Sequence, residues 1–228
     1  MTASSLRARV RTEMIEEIKA VARARLATDG ANLSLRGVAR DLGVVASALY
    51  RYFPSRDDLL TALITEAYEA LGAAATTAAA APGRPGERWL AICHAVRDWA
   101  LAHPAEYGLL YGSPVPGYAA PPTTIAPAAT VIMLLVGIVL EADDQPGLPL
   151  PVPLPAPVAA DLRRLIAAQG RGTMPEELLN RVFVGWTHLF GLVSFEVFGR
   201  LTDMVDARRD YFEHHMTLMA GLAGLPLT

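Results

Sequence analysis

The 228-residue chain contains almost no cysteine, since Cys93 is the only one. A single cysteine cannot form an intrachain disulfide, which excludes the disulfide-stapled class of small secreted domains. The chain also starts with polar and then charged residues, where a secretory signal would have an apolar core. We therefore expect a soluble cytoplasmic protein that folds around its own hydrophobic core.

Long apolar runs are scarce as well. The longest, Val131 to Leu140, covers about half of the roughly 20 residues that cross a bilayer as a helix. Extended back to Ile125, the run includes Pro127 and Thr130. It predicts a buried core helix, and we expect no membrane partner.

The short motifs that commonly mark catalytic sites are missing too. We find no Gly-x-Ser-x-Gly, no phosphate-binding loop and no glycine pattern for dinucleotides. No two of the five histidines lie on one helix face with a carboxylate, as a zinc site requires, and the adjacent His214 and His215 point apart. We expect no enzyme, no metal and no cofactor.

Negative charge prevails only slightly, and it is unevenly distributed. The chain has a net charge of −3, yet residues 1–60 contain ten Arg and Lys against seven acids, and the rest contains ten against sixteen. A basic N-terminal third is what neutralisation of DNA phosphates requires. Near its start, Arg7, Arg9 and Arg11 either follow a DNA backbone as a loose arm or form a solvated charge run.

The most informative stretch is residues 33–60. Ser34 is a predicted N-cap for a helix over residues 35–42, and Gly43 suits the sharp turn after it. A second helix is predicted over residues 46–53, where Leu49 and Phe53 lie four apart and point inward. Pro54 then breaks the chain before a third helix. Two short helices joined by a tight glycine turn are the layout of a helix-turn-helix DNA reader.

Residues 10–66 resemble the N-terminal domain of the tetracycline-repressor (TetR) family of transcriptional regulators. The matching positions are Ile15, Ala20, Leu26, 33–36, 38–39, 42–44, 49–53 and 55–60. The resemblance implies that the second helix enters the major groove while its flanks contact phosphates. The implied DNA-binding residues are Arg36, Ala46, Ser47, Ala48, Tyr50, Arg51, Tyr52 and Arg56.

The sequence departs from the family pattern at three positions of this reader. Val45 stands where the family often has a capping serine, and Ala46 and Ala48 stand where polar residues are common. These departures remove side chains that would hydrogen-bond to bases. We therefore expect specificity to come from Arg36, from contacts with thymine methyl groups and from DNA shape.

Every periodic segment after residue 56 is helical, and no alternating strand pattern is present. We predict a connector helix over 57–80, followed by helices over 87–103, 104–111, 124–142, 157–169, 175–199 and 202–222. Residues 143–157 hold six prolines and predict an exposed loop. The expected fold is all-α, with a three-helix DNA-binding domain at 1–56 and a helical bundle for ligand binding and dimerisation at 57–228.

A second resemblance concerns the predicted C-terminal hairpin. Trp186, His188 and Gly191 fit the signature of the family's Trp-His-Gly type of ligand-binding domain, and His103-Pro104 with Tyr107 fits its His-Pro-x-x-Tyr segment. The resemblance implies a homodimer through the last two helices and a small effector among the helices. Candidate pocket residues, each also explained by ordinary core packing, are Trp89, Trp99, Tyr107, Met133, Trp186, His188 and Phe190.

These patterns together predict a transcriptional regulator, most simply a repressor. As a dimer it would bind a palindromic operator in double-stranded DNA, and a small apolar effector would release it by tilting the connector helix. The alternative is an effector-independent regulator of constitutive or architectural type. A closed and fully packed C-terminal core would favour that alternative.

Overall fold

The computed structural model describes residues 3–29, 33–142, 153–170 and 174–225, and these residues contain helices and turns but no strand. The predicted all-α fold is confirmed. Most of the predicted proline-rich loop lies outside the described residues, as do residues 171–173. The helices are α1 Ala3–Asp29, α2 Leu35–Asp41, α3 Ala46–Leu49, α4 Arg56–Ala79, α5 Pro85–Ala102, α6 Pro104–Tyr111, α7 Ile125–Ala128, α8 Thr130–Glu141, α9 Ala156–Ala168, α10 Glu176–Val197 and α11 Arg208–Leu222.

The helices belong to two compact units. One consists of residues 1–70 and 102–128, the other of residues 71–101 and 129–228. In the first unit α1 packs against α2 and α6, and α2 packs against α3. Its core is made of buried apolar side chains from α1, α2, α3 and α4 and from the loop before α2. They include Ile18, Ala22, Leu33, Val38, Leu49, Leu59 and Leu60, each at most 1% exposed.

The second unit is organised around α10, which packs against α8, α9 and α11. By length and composition alone α10 could cross a membrane. The three neighbouring helices account for its apolarity, because Val182, Leu189 and Val193 are buried. Trp89 and Cys93 of α5 and Phe212 of α11 are buried in the same unit. Burial raises the pKa of the Cys93 thiol.

A buried ion pair ties α5 to α10 in this unit. Arg97 donates from Nε and Nη2 to the two carboxylate oxygens of Glu196, at 2.7 and 2.5 Å, with both side chains less than a tenth exposed. The guanidinium also lies 5.5 Å from the centre of the Phe212 ring. This bidentate ion pair offsets the desolvation free energy of the two buried charges.

Two of the predicted helices are interrupted. The expected helix over 124–142 is broken at Ala129 into α7 and α8. The expected helix over 202–222 begins only at Arg208, since Gly199 and Asp203 adopt left-handed backbone angles of φ 70° and 62° and hold residues 198–204 in turns.

Candidate nucleic-acid interface

Local hydrogen bonds shape the helix-turn-helix as predicted. The Ser34 hydroxyl accepts from the Gly37 amide at 3.1 Å and caps α2, and Gly43 turns the chain at φ 68°. The Val44 amide then donates to the Ala39 carbonyl at 3.0 Å, which closes the turn. The predicted inward position of Leu49 is confirmed, since its side chain is 1% exposed.

The reading helix is shorter than the predicted 46–53. Regular α-helix covers only Ala46–Leu49, and residues 50–52 form tighter turns in which Arg51 donates to the Ala48 carbonyl and Tyr52 to the Leu49 carbonyl. Val45 occupies the N-cap without a side-chain hydrogen bond. A valine has no side-chain oxygen that could accept from the first amides, so the helix starts without a side-chain cap.

The predicted DNA-binding residues differ in their exposure. Arg36, Ser47, Tyr50 and Arg51 are exposed. The other four are half-buried, and two of them pack against the core of the first unit: they are Ala46, Ala48, Tyr52 and Arg56. The exposed group supplies a guanidinium at the start of α2 and a hydroxyl, a phenol and a second guanidinium on α3 and its following turn.

Arg56 is held by the protein as well as available to a partner. Its Nε donates to the Leu33 carbonyl at 2.8 Å, and its Nη1 lies 3.9 Å from the Asp57 carboxylate. Its side chain is 31% exposed. The arginine therefore joins the loop before α2 to the start of α4.

Several of the Arg and Lys residues counted in the basic N-terminal third form ion pairs within the first unit. Lys19 and Arg23 of α1 both pair with Glu66 of α4. Burial alone would lower the pKa of Lys19, but hydrogen bonds to Glu16 and Glu66 raise it. Arg25 pairs with both oxygens of Asp41 at 2.6 and 2.9 Å, and its hydrogen bond lowers the pKa of that carboxyl. Charge counting along the sequence could not separate these cations from those that face solvent.

Arg11, one of the three arginines considered above for an arm along the DNA backbone, contacts the turn that follows α3. Its Nη2 donates to the Arg51 carbonyl at 3.3 Å, and its guanidinium carbon lies 5.2 Å from the centre of the Tyr52 ring. A contact between residues forty positions apart leaves no local sequence pattern.

The predicted pocket residues are divided between the two units. Tyr107 belongs to the first unit, where it is buried and its ring centre lies 5.0 Å from that of Tyr111. The other six belong to the second: Trp89, Trp99, Met133, Trp186, His188 and Phe190. Among them Trp186 and Phe190 are in edge-to-face contact at 5.9 Å. Trp89 is fully buried, and its indole Nε1 has no hydrogen-bond partner among the described residues.

A groove of about 600 Å³ lies along α10, α11 and the turns between them. Of the predicted pocket residues only His188 lines it. Its Nε2 lies 2.9 Å from Nδ1 of His215, whose ring stacks 4.4 Å from that of Tyr211. The remaining lining is Val184, Thr187, Gly191, Leu192, Phe195, Leu201 and Met204, so within the described part of the chain no carboxylate, lysine or arginine faces the groove.

Two family models together, a sequence relative and solved structures each match a large part of this chain. Residues 18–63 match the family model described as bacterial regulatory proteins, tetR family, and residues 89–219 match the tetracyclin repressor-like C-terminal domain. An HTH-type transcriptional regulator of Mycobacterium tuberculosis is 37% identical over 186 residues, which is 75% of this chain and 74% of the relative.

Two solved structures extend the comparison. SCO4313, a protein assigned a regulatory role, has a TM-score of 0.76 and 32% identity over 93% of this chain and 98% of its own. A protein of unknown function from Rhodococcus sp. RHA1 has a TM-score of 0.65 and 25% identity over 92% and 95%.

Proposed function

Because this chain belongs to the TetR family of bacterial transcriptional regulators, we propose that it is a cytoplasmic repressor that binds a palindromic operator as a homodimer. One observation carries the proposal. The helix-turn-helix buries Leu35, Val38 and Leu49, and it leaves Arg36, Ser47, Tyr50 and Arg51 exposed. Exposed guanidinium and hydroxyl groups on such a motif are suited to phosphates and base edges.

In the proposed complex the residues have separate roles. Arg36 reaches a base edge, and the small side chains of Ala46, Ser47 and Ala48 let α3 approach the floor of the major groove. Tyr50, Arg51, Tyr52 and Arg56 contact phosphates, the last from a side chain whose orientation is fixed by the Leu33 carbonyl. Phosphate contacts set the position, and the few base contacts read the sequence.

We propose that the groove along α10 and α11 receives a second copy of the chain. Four large apolar side chains that line it are exposed: Val184, Phe195, Met204 and Tyr211. A contiguous apolar surface of this kind is typical of a protein interface. A two-fold axis there matches the symmetry of a palindromic site.

A small apolar effector is the proposed signal, and its candidate site is in the second unit, among Trp89, Trp99, Met133, Trp186, His188 and Phe190. The effector must bind the DNA-incompetent state more tightly, and DNA then weakens effector binding by the same factor. The unpartnered Nε1 of buried Trp89 favours a ligand-binding interior over a sealed one. Without an effector, the alternative of a constitutive or architectural regulator applies.

The test begins with selection of bound fragments from the genomic DNA of the source organism. A gel-shift titration at fixed salt then measures affinity for the selected fragment and for symmetric single-base variants of it. Arg36→Ala is expected to weaken binding of the selected sequence most and to reduce discrimination at one base pair by about 1–3 kcal/mol. Uniform weakening of every fragment would contradict base reading by Arg36.

Arg164→Ala is the matched control for loss of one positive charge. Arg164 is highly exposed on α9 in the second unit and pairs only with the nearby Asp161 among the described residues. Its removal is expected to leave operator affinity unchanged. Candidate apolar compounds are then titrated into the protein–operator complex, and the effector hypothesis fails if none of them changes the affinity.

A further inference from the structure

The first turns of α1 form an exposed helical extension. The helix begins at Ala3, so the arginines near the start of the chain are on a helix and not on a loose arm. Residues 5–13 are all exposed, and fully buried positions begin only with Ile18. Leu6 and Val10 are 47% and 49% exposed, which shows that this extension is not part of the core.

The contacts of α1 give the direction of this extension. Lys19 pairs with Glu66 in the middle of α4. Eight residues earlier, Arg11 contacts Arg51 and Tyr52, just before α4 begins. Following α1 towards its N-terminus therefore leads along α4 back to the recognition segment, which is α3 with the turn over residues 50–52. The turn that contains Arg7 projects beyond it, by about 6 Å for four residues.

Positive charge prevails on the extension. Residues 5–13 include Arg7, Arg9 and Arg11 against a single acid, Glu13. Arg9 is paired with Glu13 at 3.2 Å, and Arg11 is engaged with the recognition segment. Arg7, four residues before Arg11 and hence on the same helix face, has neither a hydrogen bond nor an ion pair among the described residues.

We propose that this extension is a second DNA-contacting element, in which Arg7 binds a backbone phosphate flanking the groove that α3 enters. Arg11 is a positioning residue that fixes the turn carrying Arg51 and Tyr52. The proposal rests on the proposed operator binding. The polyanion next to the recognition segment would be DNA, and its phosphates offer the acceptors that an exposed guanidinium lacks in the free protein.

The salt dependence of operator affinity tests Arg7. The slope of log K against log salt concentration is expected to fall by about one for each lost phosphate contact, hence by about two per dimer, in Arg7→Ala. Arg7→Lys, which keeps the charge, and Arg164→Ala, which removes a distant charge, should retain the wild-type slope. An unchanged slope for Arg7→Ala overturns the proposal.

Hydroxyl-radical footprinting locates the contact. Wild-type protein should protect backbone positions outside those covered by the recognition helix, and Arg7→Ala should lose only these outer positions. Arg11→Ala should weaken the inner protection as well, and Arg11→Lys, which keeps a cation over the Tyr52 ring, should restore part of it. Intact inner protection in Arg11→Ala would reject the positioning role.

The two proposals fail in different ways. If wild-type protein selects no genomic fragment over random DNA, the proposed operator binding is wrong. If wild-type protein selects a fragment but Arg7→Ala matches it in salt slope and footprint, only the α1 contact is wrong. Because residues 5–13 are exposed, the variants should keep the helical circular dichroism and the unfolding temperature of the wild type.

Discussion

Gly185 lies where α10 crosses the indole of Trp89. A Cβ at position 185 would stand 2.8 Å from Cζ2 and 3.0 Å from Cη2 of a ring that is fully buried. A Cβ can come this close to the indole only if the buried ring or the helix shifts. Gly137 on α8 differs in this respect, because a Cβ there meets no atom within 4 Å.

We expect Gly185→Ala to lower the free energy of unfolding by about 1–3 kcal/mol through overpacking. The matched control Gly137→Ala should raise it by roughly 0.5–1 kcal/mol, since alanine restricts the unfolded chain and favours helix. Chemical denaturation of both variants measures the difference. Equal stability of the two would show that the Trp89 ring can move.

Two half-buried histidines make the stability of the second unit depend on pH. Burial lowers the pKa of His188 below 6.5, and the neighbouring His215 lowers it further. Burial and Arg209 likewise lower the pKa of His94. Above pH 6.5 the folded and unfolded chains both hold neutral imidazoles. As the pH falls below 6.5 the unfolded chain takes up protons first, so stability falls.

The unfolding temperature should therefore be lower at pH 5.5 than at pH 7.5, and His188→Gln should reduce this difference. The interval lies above the ordinary range of Asp and Glu, so carboxyl groups contribute little to it. Thermal unfolding at several pH values provides the measurement. The assignment to His188 is wrong if the variant loses as much stability as the wild type.

Helix α3 is the weakest of the helices that form the reader. It has four residues, no side-chain cap and a 71% exposed valine at its N-cap. Val45 has the extended backbone, φ −71° and ψ 138°, that a capping serine also adopts. The cap is thus absent only for want of an acceptor oxygen.

We expect Val45→Ser to stabilise the first unit by about 1 kcal/mol, by accepting a hydrogen bond from an amide in the first turn of α3. Val45→Ala removes the same apolar side chain without supplying an acceptor and serves as the control. Amide hydrogen exchange at residues 47–49 should slow only in the serine variant. Similar exchange in both variants would mean that the helix start is not limiting.

The elements also show what local sequence can predict. The cap at Ser34, the turn at Gly43 and the burial of Leu49 were predicted correctly. Each of these predictions used only sequence neighbours within four residues. The break at Ala129, in an otherwise apolar run, was not predicted. Contacts between distant positions, such as Arg11 with Arg51 and His188 with His215, depend on how whole helices pack and have no local signature.

The apolar groove along α10 and α11 sets an expectation for the assembled protein. Phe195 lines it and is 55% exposed. We expect Phe195→Asp to convert the proposed dimer to a monomer, because a carboxylate would have to be buried there without a partner. Light scattering after size-exclusion chromatography gives the mass directly.

Val158→Asp is the matched control, since Val158 is a 41% exposed apolar residue on α9, away from the groove. It should leave the mass unchanged. If the Phe195→Asp protein remained a dimer, the groove would not be the dimer interface. Loss of operator binding by the Phe195 variant alone would additionally link pairing of the two chains to recognition of the two half-sites.

Because Cys93 is buried, its modification rate reports how fast the core of the second unit opens. The chain has no other thiol, and this one is fully buried with a raised pKa. A thiol-reactive dye therefore has nothing to modify until that core opens. The rate of colour development would measure how often this core opens. A compound that binds in the core would lower that rate, and the measurement needs no DNA.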